Sequence, residues 1–195
     1  MATLKNSALS RLRGGDLAIG FAVRRWRDVG IGRMMKSCGY DFLFIDLEHG
    51  TLSLETVADI SIAAADAGIA PIVRVPMKNF TLATRVLDSG ALGIIIPHVE
   101  DAEEAREVVA RLRYPPLGQR SHGGSMPQLD FVNAHPTATM KAIDAETLIV
   151  AMLESPNAIA NAEAIAATPG IDVLLVGMGD TTQGMGIPDE FENPR

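Results

Sequence analysis

Glu154 and Asp180 each close an apolar run, Leu148–Glu154 (LIVAMLE) and Val173–Asp180 (VLLVGMGD), one strand-plus-helix unit apart. Two carboxylates converging in a low-dielectric site repel, and one takes up a proton unless a cation joins them. A hard divalent ion with several waters satisfies such a pair. The competing reading has Asp180 capping a following turn and Glu154 paired with an arginine or lysine. A third run, Phe42–His49 (FLFIDLEH), ends in Asp46, Glu48 and His49. A histidine oriented by a carboxylate is a serviceable general base near neutral pH. A hydrogen-bonded structural histidine at a strand end is the plainer reading of the same residues. Arg74 sits inside a fourth run, Pro71–Pro76 (PIVRVP), and arginine is rarely buried without a partner. It either grips a substrate carboxylate or enolate oxygen in a bidentate way or forms a salt bridge to Glu48 across adjacent strands; the two are compatible.

The remaining candidates carry less signal. His98 follows Pro97 at another strand end and could face the same rim. His122 lies in Gly118-Gln-Arg-Ser-His-Gly-Gly124, which reads as an ordinary surface loop or as one that covers a site or binds an anion. His135 reads as a surface residue, and Met34, Met35 and Met152 as packing. The single cysteine, Cys38, reads as a small core residue and excludes a disulfide within the chain.

Charged groups at the ends of buried strands cost desolvation, so stability alone does not select them. In α/β folds that rim is where active sites are built. Strand-like runs begin near Leu17, Phe42, Ala70, Gly93, Thr147 and Asp172, with the first expected over Leu17–Val23 and the last over Val173–Gly177. Most are separated by about one helix and two short loops, which predicts a parallel sheet covered by helices. Asp101 followed by Glu104 predicts a capped helix with Ala105, Val108, Val109 and Leu112 on one face. Ser155-Pro156 predicts another helix start. Tyr114–Pro127 reads as a loop and Phe131–Ala145 as one or two helices that Pro136 could interrupt. A doubly wound fold would gather its site at one strand-order reversal. Here the candidates come from several strands, which favours a (β/α)8 TIM-barrel type with about six of eight units in one domain, residues 1–195.

The chain has 195 residues, 47% of them apolar and 21% charged, with a formal net charge of −7 and a pI near 5.0. That balance argues against nucleic acid as a partner, since no basic footprint is present. No apolar run approaches a membrane span, and the first residues show no secretory h-region. The lone cysteine fits a reducing compartment. The expectation is a cytoplasmic protein acting on a small molecule.

The pieces Asp41-Phe-Leu-Phe-Ile-Asp-Leu-Glu-His49, Val73-Arg74-Val-Pro76, Val86-Leu-Asp-Ser-Gly90, Arg113-Tyr-Pro-Pro-Leu-Gly-Gln-Arg120, Leu153-Glu154 and Val176-Gly-Met-Gly-Asp180, with Met185-Gly186, occur in this order from about Leu17 onward. Together they resemble the HpcH/HpaI aldolase family. The resemblance implies a barrel that uses a divalent metal cation (Mg2+, Mn2+ or Co2+) to cleave 2-oxo-4-hydroxy acids to pyruvate and an aldehyde. It implies Glu154 and Asp180 as metal ligands, His49 paired with Asp46 as the base, and Arg74 as the group that steadies the pyruvate enolate. It further implies that the backbone around Gly179 and Asp180 cradles the pyruvate carboxylate. Asp88 would reach a neighbouring subunit's site in a homo-oligomer, a hexamer in the full-length family.

The chain departs from the family pattern at three places. Met152 stands where a glutamine helps hold pyruvate, Gly177-Met-Gly-Asp180 replaces Gly-Pro-x-Asp, and Arg120 is followed by Ser-His-Gly-Gly. These bear on substrate choice. The sequence ends at Glu190-Phe-Glu-Asn-Pro-Arg195, where the family begins its sixth helix. The expectation is a truncated barrel with strand edges exposed, aggregating and nearly inactive on its own. Two alternatives keep the fold: a citramalyl- or malyl-CoA-type lyase, with Arg111, Arg113 and Arg120 as the cluster for the CoA phosphates, and an inactive fragment.

Overall fold

A computed structural model describes residues 4–132 and 134–194. Asn133, inside the expected helical segment Phe131–Ala145, and Arg195, at the expected point of truncation, lie outside the described residues. Six strands form one parallel sheet in the order β1-β2-β3-β4-β5-β6. They are β1 Gly20–Val23, β2 Phe42–Asp46, β3 Ala70–Arg74, β4 Gly93–Ile96, β5 Leu148–Leu153 and β6 Val173–Val176. Consecutive order with no reversal excludes the doubly wound alternative. Strands β3, β4 and β5 are buried throughout, as parallel strands covered on both faces must be.

Helix α1 (Ser7–Arg13) precedes the sheet, and α2 (Ile31–Ser37), α3 (Leu54–Asp66), α4 (Phe80–Asp88) and α5 (Ala102–Leu112) follow the first four strands. Helix α6 (Pro136–Glu146) leads into β5; α7 (Pro156–Ala160) and α8 (Ala162–Ala166) lead into β6, and α9 (Met178–Gly184) follows it. The helix faces pack on one side of the sheet around Leu43, Ile45, Ile60, Val73, Ile94 and Ile149. A second apolar cluster lies on the other side, where Ile72, Ile95, Leu148 and Val150 meet Ala8 and Leu9 of α1. One cavity of about 170 Å3 on that side touches Phe42 and Phe44 of β2, Ile95 of β4 and Leu175 of β6. A single space lined by strands so far apart in the order means that the sheet curls around it.

Local chemistry explains the boundaries. Asp101 accepts the N–H groups of Glu103 and Glu104 and caps α5, as the sequence predicts. Ser155 accepts the Ala158 N–H and starts α7. Pro136 does not interrupt a helix; it opens α6 from the first turn, where its missing N–H costs nothing. Among the described residues, the segment before α6 supplies a 3-10 turn, Pro127–Leu129, and no further helix. Strand β1 begins at Gly20 rather than Leu17, because the Ile19 N–H is taken by the Asp41 carboxylate, 2.9 Å away, and Leu17 is exposed. Cys38 is exposed at the end of α2 rather than in the core. Among the described residues no helix is long and apolar enough to cross a membrane.

Candidate active site

Register places the first pair. Asp46, the last residue of β2, is the strand partner of Arg74, the last of β3. Arg74 Nε and Nη2 donate to the two oxygens of Asp46 at 3.0 and 2.7 Å. The Asp46 oxygens also accept the N–H groups of Glu48 and His49 and the Nε of Arg24, 3.1 Å away. Asp46 is fully buried. Burial alone would raise its carboxyl, but the Arg74 hydrogen bond, the His49 N–H and the Arg74 charge outweigh that and hold it below the ordinary carboxylate range. Arg74 Nη1 lies 3.2 Å from Glu48 Oε2, so the salt bridge to Glu48 is also present, and 3.8 Å from the Met152 sulfur.

The expected pairing of the His49 ring with Asp46 is not what forms. Asp46 binds the His49 backbone N–H, and its oxygens are taken by two arginines. The ring Nε2 stands nearest Glu48 Oε2, at 3.9 Å, with the side chain largely open to solvent. Glu48, not Asp46, is the carboxylate in front of the imidazole.

Glu154 and Asp180 do come together, and His98 joins them. One potential ligand atom from each of the three lies within 4.8 Å of the others. Glu154 follows β5 and is buried, while Asp180 sits exposed in the first turn of α9. His98 turns back after β4 with φ 53°. Its N–H donates to Glu154 Oε2 at 3.2 Å and its Nε2 lies 3.6 Å from the same oxygen. Burial pushes the Glu154 carboxyl above its ordinary value; the His98 ring and N–H oppose the shift, and the Glu48 and Asp180 charges add to it. A buried carboxylate under that pressure beside an exposed carboxylate and an imidazole fits a divalent cation by its donor chemistry. A Cβ at Gly177 would lie 2.6 Å from Glu154 Cγ, so glycine is what lets the β6–α9 corner close on this carboxylate. Gly177 caps α9 with no side-chain bond, and Gly179 is exposed in its first turn, next to Asp180 as the sequence requires.

Asp88 is placed elsewhere. It ends α4, and its Oδ1 accepts Arg120 Nη2 at 2.6 Å. Arg120 is buried over the Tyr114 ring, 4.7 Å from its centroid. This pair lies toward the N-terminal ends of the strands, opposite Arg74. The arginine cluster read as a CoA phosphate surface does not exist. Arg113 is buried against Asp172 and the carbonyls of Asp144, Thr147 and Gly170, Arg120 is buried with Asp88, and only Arg111 is exposed. Arg24, which the sequence reading missed, stands at the rim with Arg74. Its only sequence signal is that it directly follows an apolar strand.

The family model for HpcH/HpaI aldolase/citrate lyase matches residues 31–194. The chain belongs to this family. It is 38% identical over 192 residues to a 4-hydroxy-4-methyl-2-oxoglutarate aldolase of Chaetomium globosum, covering 96% of this chain and 70% of that one. A 2-keto-3-deoxy-L-rhamnonate aldolase of Salmonella gallinarum is 33% identical over 193 residues, 99% of this chain and 72% of that one. Among solved structures, the HpcH/HpaI aldolase from Desulfitobacterium hafniense DCB-2 superposes with a TM-score of 0.89 at 30% identity, over 95% of this chain and 71% of that chain. Family and relatives together support an aldolase, a carbon–carbon lyase.

Proposed function

We propose that the protein is a divalent-metal-dependent aldolase that cleaves 2-oxo-4-hydroxy acids to pyruvate and an aldehyde or ketone, on a (β/α)8-type scaffold. The observation that carries this reading is the meeting of His98, Glu154 and Asp180 at the same strand ends as the Arg74–Asp46 pair. A magnesium, manganese or cobalt ion held by Glu154 and Asp180, with His98 beside them, would supply Lewis-acid stabilisation of charge on the 2-oxo oxygen.

The chain's own residues divide the rest. In a retro-aldol cleavage the C4 hydroxyl loses its proton, the C3–C4 bonding electrons move to form the C2–C3 enolate, and C4 becomes a carbonyl. Protonation at C3 then yields pyruvate. His49, with Glu48 in front of its ring, is the group to accept the hydroxyl proton. Arg74, fixed by Asp46, holds positive charge where the enolate oxygen develops, so it stabilises the transition state more than the ground state. The N–H groups around Gly179 and Asp180 receive the substrate's C1 carboxylate. Met152 puts a thioether against Arg74 in place of a hydrogen-bonding amide. Asp88, tied to Arg120 away from this rim, serves in contact with a second copy of the chain in a homo-oligomer.

The test is pyruvate release from 4-hydroxy-2-oxo acids with and without added Mg2+, Mn2+ or Co2+, and after chelation. Metal-dependent release that chelator abolishes is the expected result. Release that is indifferent to chelator would remove the metal from the mechanism, and no release from any such acid would remove the aldolase reading.

A further inference from the structure

Arg24 directly follows β1, and its side chain reaches the rim. Its Nε donates to Asp46 Oδ2 at 3.1 Å, the same oxygen that receives Arg74 Nη2 at 2.7 Å. The two guanidinium groups therefore meet on one atom, yet they are used differently. Arg74 spends the Nε–Nη2 edge on Asp46 and turns Nη1 toward Glu48 and Met152. Arg24 spends Nε alone, and its Nη1 and Nη2 donate to nothing among the described residues. Its side chain is 60% exposed. Arg24, Arg74, Met152 and the rings of Phe42 and Phe44 line one cavity of about 330 Å3.

The free end of a guanidinium offers two parallel N–H bonds that match a carboxylate. Strand order says which carboxylate. Glu154 and Asp180 follow β5 and β6, Arg74 ends β3, His49 follows β2 and Arg24 follows β1. A substrate whose 2-oxo acid end lies by Glu154 and Asp180 must extend past Arg74 toward β2 and β1. Its C4 hydroxyl then comes to His49, and what is attached to C4 comes to Arg24. We propose that Arg24 is a specificity-determining residue that binds a second carboxylate on the C4 side, so that the preferred substrates are short dicarboxylic 2-oxo-4-hydroxy acids. The acids are short because Arg24 and Arg74 share an oxygen of Asp46, which leaves room for few bonds between the reacting carbon and the second carboxylate. The carbonyl fragment released is then itself a 2-oxo acid. This rests on the aldolase reading above.

Binding separates the two claims. The probes are 2-oxoglutarate and 2-oxopentanoate, which share a five-carbon 2-oxo acid chain and differ in the second carboxylate; neither carries a C4 hydroxyl to cleave. Calorimetry in the presence of Mn2+ on the whole protein should show 2-oxoglutarate binding roughly 10- to 100-fold tighter, the worth of a charged hydrogen-bonded pair. Arg24→Ala should erase most of that ratio, and Arg24→Lys should keep part of it. The kcat/KM ratio for 4-hydroxy-2-oxoglutarate over 4-hydroxy-2-oxopentanoate should fall by a similar factor in Arg24→Ala, mainly through KM. Equal affinity of the wild type for both probes, or a ratio that Arg24→Ala leaves unchanged, overturns the assignment even if both acids are cleaved. A preference that Arg24→Ala erases in a protein that cleaves neither acid upholds Arg24 and refutes the aldolase reading instead.

Discussion

Arg74 grips Asp46 edge to edge, Nε on Oδ1 at 3.0 Å and Nη2 on Oδ2 at 2.7 Å, with both side chains almost wholly buried. The register of β2 against β3 sets the two residues side by side. The pair fixes the arginine's direction before any substrate arrives, which is what an electrostatic stabiliser needs in order to act without reorganising.

Removing one partner should be costly. Asp46→Asn takes the bidentate counter-charge from a buried guanidinium and leaves it only the Glu48 contact, and the expected loss is about 3–5 kcal/mol of stability. Urea denaturation measures it. Asp46→Ala combined with Arg74→Ala should cost less than the sum of the two single changes, and strict additivity would show that the pair is not coupled. The Asp46 carboxyl is depressed below its ordinary 3.8. Its contribution is therefore present above that value and is lost only as pH falls through the lowered one.

Glu154→Gln and Asp180→Asn should each weaken Mn2+ binding, read by the spectrum of the free ion, by more than the roughly 10–100-fold that loss of an outer-shell partner costs. Unchanged affinity in both would remove the metal assignment. The raised Glu154 carboxyl adds a pH dependence. Between the ordinary 4.5 and the raised value the folded chain holds more proton than the unfolded one. The metal-free protein therefore gains stability as pH falls through that window, while metal affinity drops over the same window because the ion needs the ionised carboxylate.

His49→Ala should lower kcat by roughly 10²–10⁴-fold, the usual worth of a positioned acid–base group. Glu48→Gln should shift the pH profile of kcat/KM, because Glu48 is the carboxylate facing the ring. A profile that stays in place in Glu48→Gln would show that the 3.9 Å approach has no bearing on the imidazole.

Strands β1 and β6 are the sheet's outer members, and Leu17, Ile19 and Val176 stand exposed beside them at 74%, 48% and 45%. Unpaired strand edges with apolar side chains template association. The 195-residue chain on its own should associate at micromolar concentration, with Val176→Lys reducing the effect. A monodisperse monomer by light scattering would count against this.

Much of the fold was legible because buried parallel strands are continuous apolar runs, and the candidates at the ends of β2 to β6 were found by that rule. Glu154 with Asp180 followed from it directly. The partners of Asp46 did not. Which side chains face each other across β2 and β3 depends on register, and nothing in FLFIDLEH distinguishes a carboxylate that reaches a ring three residues on from one that reaches the next strand. Arg24 was missed for the same reason: it is adjacent to Asp46 only once Val23 is set against Ile45. The misreading of Arg113 and Arg120 as part of a basic surface came from their nearness in sequence to each other and to Arg111, whereas both are buried by carboxylates distant in sequence, Asp172 and Asp88.

His98 holds its left-handed turn at φ 53° although glycine would take that turn freely and keep the N–H on Glu154. The histidine therefore costs about 1–2 kcal/mol of backbone strain, and the only thing glycine would not supply is the ring. Imidazole nitrogen ranks ions differently from carboxylate oxygen, favouring first-row transition metals over magnesium. With the proposed ion in place, the strained turn would act as a filter on its identity: His98→Gly should stiffen the empty protein against denaturant and, in the same stroke, make cobalt lose ground to magnesium.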